Sequence, residues 1–103
     1  MTIGSFPAKS PTSRLVLAFD FARALTGTEQ LDEIVAVQVV VNAGEDPDPA
    51  SILPGDAVPN IQGTTVAVPV IETRASYKIT VIVDTTNPHK RLTLSALLPL
   101  LLD

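Results

Sequence analysis

Three groups of residues have side chains and spacing that could do chemistry. Glu45, Asp46 and Asp48 form an acidic cluster, and carboxylates on one loop are the ligand type of a hard cation such as calcium. The rest of a calcium loop is missing, and Pro47 and Pro49 restrict how the side chains converge, so a solvated loop tip is the simpler reading. His89, the only histidine, precedes Lys90 and Arg91. A general base needs a partner within reach and a pocket that tunes it; nothing nearby supplies either, and an exposed turn histidine is expected. Asp20 lies among apolar residues with Arg23 three positions on. Such an aspartate faces solvent or is paired, so a salt bridge or a hydrogen bond to a turn is expected before catalysis. No phosphate-binding glycine loop, nucleophile elbow or metal-binding histidine pair occurs. The expectation is a protein that is not an enzyme, with no catalytic residues, no cofactor and no metal.

The elements that hold these residues are strands. Arg14–Phe21 alternates, with Leu15, Leu17, Phe19 and Phe21 on one side and Val16, Ala18 and Asp20 on the other, the period of a half-buried strand. A helix is the rival there, because Ala22–Leu25 continues with helix formers; Thr26–Gly27–Thr28 then makes a turn. Ile34–Val41 contains five valines and only Gln38 as a polar break, so it is a strand covered in part on both faces. Asn42–Pro54 is a proline-rich loop and Ala57–Ile61 a short edge strand. Thr64–Val70 is a strand that Pro69 ends or confines to a sheet edge, and Glu72–Ala75 is a polar turn. Ser76–Asp84 alternates with Tyr77, Ile79, Val81 and Val83 on one face; Thr85–Lys90 is a hairpin turn; Arg91–Leu98 returns with Leu92, Leu94, Ala96 and Leu98 inward. Tyr77 follows a polar turn, so its hydroxyl either reaches back to nearby backbone, as in a tyrosine corner, or sits in a half-buried core position.

Composition agrees with this. Aromatic residues are 4% against 46% hydrophobic overall, so the core is aliphatic. Nine prolines and five glycines across 103 residues leave little room for long helices. Six or seven short strands with frequent turns describe a sandwich or a small barrel. The expected organisation is an extended arm over 1–13, outside the core, and one β domain over 14–103.

Several partners are disfavoured. The formal charge of −4 argues against nucleic acid, and His89–Arg91 is too small a basic patch to track phosphates. Met1–Pro11 has one lysine and no apolar run, so no signal peptide is expected. The absence of cysteine excludes disulfides and fits a reducing compartment. The apolar stretch Leu92–Leu102 is too short for a membrane span, which needs ~20 residues. Its leucines nevertheless suggest an exposed interface patch, the alternative being a tail that folds back and caps the sandwich. The expected interface residues are Leu97, Leu98, Leu100, Leu101 and Leu102, with Phe6 and Pro7 of the arm.

The segment Phe6–Pro7–Ala8–Lys9–Ser10–Pro11, the strand through Asp20 and the turn Ala24–Leu25–Thr26–Gly27 resemble the opening of small tailed-phage virion proteins. Those have a Lys–Asp–Pro-like arm and an alternating strand ending near an Asp–aromatic pair. The closing strands Tyr77–Asp84 and Leu92–Leu98, joined through Thr85–Arg91, are similar too. The chain departs from the pattern at Ser10, where the acidic residue would stand, at Asn87–Pro88 in place of a glycine turn, and at Glu72–Ala75 in place of a glycine-rich turn. The resemblance implies an all-β, immunoglobulin-like β-sandwich of about seven short antiparallel strands. It further implies a phage or prophage fibre–tail adaptor, found in the virion or in the host cytoplasm before assembly. Its partners would be other virion proteins or further copies of itself, with no nucleic acid and no membrane. A ligand- or carbohydrate-binding β-module is the alternative; few aromatics weaken it, with Tyr77 the only tyrosine.

Overall fold

The computed structural model describes residues 4–101. Its strands are β1 (Gly4–Ser5), β2 (Leu15–Asp20), β3 (Leu31–Ala43), β4 (Val58–Pro59), β5 (Thr65–Val70), β6 (Ser76–Thr85) and β7 (Arg91–Leu98). Six of them, β2 to β7, make two antiparallel three-stranded sheets packed as a sandwich, β2-β5-β4 against β7-β6-β3. The two-residue β1 adds in parallel to the outer side of β7. Among the described residues no strand pair joins the sheets, so the architecture is that of a sandwich.

The core follows from the period-two pattern. Leu17 and Phe19 of β2, Val66, Val68 and Val70 of β5, Tyr77, Ile79, Val81 and Val83 of β6, and Ala96 and Leu98 of β7 are all buried. Alternate side chains of each strand meet across the sandwich, and the small β-branched residues fill it without large rings. The hairpin β6–β7 has an unbroken register from Tyr77↔Leu98 to Asp84↔Arg91, the pairing expected from its alternation.

The structure corrects the sequence reading in several places. The helical alternative after β2 reduces to one 3-10 turn, Ala22–Ala24. The long loop carries a second 3-10 turn, Pro49–Ile52, whose Ile52 is in the core. Pro69 does not put β5 on an edge. β5 is the central strand, but β4 pairs only with Val66 and Ala67, so β5 is free on that side at Pro69 and a missing donor there breaks no ladder bond. β3 is longer than Ile34–Val41 and has register shifts between Leu31 and Glu33, Ile34 and Ala36, and Val41 and Ala43. Each shift redirects side chains, which is why Leu31 is buried while Val35 and Val40 are exposed.

Of the arm, Gly4–Lys9 runs along β7 and the tail and Pro11–Thr12 form a turn, and this stretch is part of the packed structure. Phe6 packs edge-on against Phe19 with ring centroids 5.3 Å apart. Lys9 is among the most buried side chains of the chain.

Candidate docking surface

Several of the candidates for chemistry are bound into the scaffold. The hydroxyl of Tyr77 accepts a hydrogen bond from the Arg74 N–H at 3.2 Å and donates to Asp46 Oδ2 at 2.6 Å. This is the backbone tie expected of a tyrosine corner, extended to the acidic loop. Asp46 Oδ1 also accepts from the Asp48 N–H, and the Tyr77 hydroxyl holds the Asp46 carboxyl below its usual range. Glu45 and Asp48 point into solvent, and among the described residues no three His, Asp or Glu side chains are grouped to hold a metal ion. Asp20 Oδ1 accepts from the Ala22 N–H at 2.9 Å and so fixes the 3-10 turn after β2.

His89 is exposed at the hairpin turn, where its N–H donates to Asn87 Oδ1. Its two basic neighbours are engaged singly. Lys90 Nζ donates to Glu29 Oε1 at 2.8 Å and to the Ala24 carbonyl; Arg91 pairs with Asp84 at 2.7 Å. The Lys90 ammonium, with the Thr26 N–H and hydroxyl, pulls the Glu29 carboxyl down to about 2.

The arm and the tail are laid together. Phe6 N–H donates to the Leu97 carbonyl, Lys9 N–H to that of Pro99, and Leu101 N–H to that of Lys9, at 2.9, 2.8 and 2.7 Å. Lys9 Nζ lies inside, donating to the Ser10 carbonyl and to Thr73 Oγ1, and desolvation lowers its basicity against the attraction of Glu72. The sequence marked Lys9 as the arm's one lysine and as part of the segment that carries the resemblance, without a local signal for its burial.

The expected interface residues therefore divide. Leu98 is 1% exposed and belongs to the core, because β7 turns it inward opposite Tyr77. Leu97, Leu100 and Phe6 are half-buried, Pro7 and Leu101 are exposed, and Leu102 lies outside the described residues. The tail runs on from β7 beside the arm, with Lys9 bridged in parallel to Leu100. All four aromatic rings are engaged in or against the core, so Tyr77 offers no exposed platform for a sugar.

Beside single exposed side chains at Val35, Val40, Ile61 and Leu101, neighbouring apolar residues share the outer face of the sheet β2-β5-β4. Val16 pairs with Pro69, and Ala18 pairs with Ala67, which also pairs with Val58. Val16 is 68% and Val58 55% exposed, and the five residues together carry no charge. A groove of about 400 Å³ is lined by Phe6, Pro7 and Ala8 together with Leu15–Ala18. Exposed contiguous apolar surface of this kind marks interaction sites. The sequence showed Val16 and Ala18 facing away from Leu17, but not that Ala67, Pro69 and Val58 would join them, since that depends on the pairing of β2, β5 and β4.

No protein-family model matches the chain, and neither the curated proteins nor the solved structures contain a significant match to it.

Proposed function

We propose that this chain is an immunoglobulin-like, non-enzymatic module of a phage or prophage particle, associated with its tail or fibres and acting by protein–protein docking. The immunoglobulin-like reading is supported by strand order. The second, fifth and fourth strands face the third, sixth and seventh, the division found in that fold. The tie from Tyr77 at the start of β6 to Arg74 is a second hallmark. The virion setting rests on the resemblance of the arm and the closing strands; Lys9, which stands at the lysine of the arm pattern, is here the buried anchor of that arm.

The observation that carries docking is the apolar patch of Val16, Ala18, Ala67, Pro69 and Val58 on the outer face, bordered by Asp20 and beside the arm groove. The test is a deletion of the coding sequence in a lysogen, with the induced particles examined by electron microscopy and mass spectrometry. Particles that contain the protein when it is encoded, and are defective in tail or fibre assembly when it is deleted, are expected. Normal particles from which the protein is absent in both cases would overturn the proposal.

A further inference from the structure

Among the described residues the two sheets have four outermost strands, and three of them are short or irregular. β1 and β4 are two residues long, and β4 contains Pro59. β3 is long, but its three register shifts break the edge. Short strands, proline and bulges are the devices that keep sheet edges from pairing.

β2 has none of them. Its six residues run in unbroken register with β5, without proline, and the only charges are Arg14 just before it and Asp20 at its end. The arm runs nearby and Phe6 touches Phe19, but its backbone hydrogen bonds go to β7, the tail and Thr73 and leave the β2 backbone unpaired on that side.

We propose that β2 is the pairing edge of a two-fold symmetric dimer, and that its occupant is β2 of a second copy, antiparallel and centred on Leu17. The charge pattern argues for this partner. In that register Arg14 of each chain stands opposite Asp20 of the other, Val16 opposite Ala18, and Leu15 opposite Phe19. An isologous interface requires self-complementarity of this sort, and opposite charges directly across a strand pair stabilise it. Both groups are available: Arg14 is exposed at its pair with Glu72, and Asp20 accepts from Ala22 N–H at one oxygen, while a carboxylate takes several donors. The pairing also covers Leu15, now 39% exposed, and joins the two apolar outer faces into one. β3 offers no equivalent, because its charges, Asp32 and Glu33, have one sign and lie at one end. The dimer is independent of the virion reading and stands or falls without it.

Sedimentation equilibrium of the full chain tests this directly. The wild type dimerises with rising concentration. Arg14→Asp and Asp20→Arg each weaken the dimer by about tenfold or more, since each change is felt twice across the axis, and the double exchange restores it. Circular dichroism confirms that each variant is folded. A second measurement does not depend on these charges, because the chain has no cysteine. Val16→Cys and Ala18→Cys variants, mixed and oxidised, cross-link to each other. Neither does so alone, because the 16–16 and 18–18 distances are diagonal, about 7–8 Å, beyond disulfide reach. A monomer at all concentrations, or a dimer indifferent to the charge exchange and to the choice of cysteine partner, overturns the proposal.

Discussion

The Tyr77 hydroxyl sits between two groups that would otherwise turn to water, the Arg74 N–H and the Asp46 carboxylate. Its ring is fully buried, so Tyr77→Phe keeps the packing and removes only the oxygen. We expect a loss of about 1–2 kcal/mol, seen as a lower urea midpoint at unchanged slope. Glu29 gives a pH signature. Its carboxyl is at about 2 in the folded protein against 4.5 ordinarily, so the stability it contributes is complete above about 4.5 and is lost as the pH falls towards 2. Glu29→Gln should flatten the urea midpoint against pH in that window. At this scale the sequence was partly legible. Tyr77 was visible because it follows a polar turn and begins an alternating strand. Lys9 was not, because burial of a lysine depends on where Thr73 and the tail fold, and no local pattern encodes that.

The strands differ in how openly the sequence encodes them. β6 and β7 alternate strictly and are joined by a short polar turn, so period and register were both readable. β3 was visible as a run of valines, but its three register shifts were not, since a bulge is a property of the pair and β6 is some forty residues away. The docked arm was missed for a related reason: Pro7 and Pro11 mark extended chain without saying what it lies against. Gly63 shows the same dependence. It has a positive φ, and a Cβ there would come within 2.9 Å of Gln30 Cβ, so the turn before β5 needs glycine because of a neighbour distant in sequence. The arm–tail pairing can be tested as an element. A chain ending at Leu98 loses the Pro99 carbonyl and the Leu100 and Leu101 N–H groups that bind Lys9 and Ser76. We expect it to be less stable by about 2–3 kcal/mol, with faster hydrogen exchange at the Lys9 amide than in the full chain.

The molecule as a whole joins strands far apart in the chain, with β2 on β5 and β3 on β6. The sandwich class was legible because β2, β6 and β7 carried their own alternation, whereas the apolar patch on the outer face was not, being assembled from three strands at once. Such non-local pairing is slow to form, and stopped-flow refolding should fall in the millisecond-to-second range; microsecond folding would contradict the topology. The parallel run of the arm beside β7 and the tail has a mechanical consequence. The first and last described segments lie side by side and run the same way, so tension applied between them slides one past the other. The bonds of Phe6, Lys9 and Leu101 are then strained together instead of being unzipped in turn. Pulled at its ends, the domain should resist with a single high force peak set by its rate of unfolding, and a chain ending at Leu98 should yield at lower load.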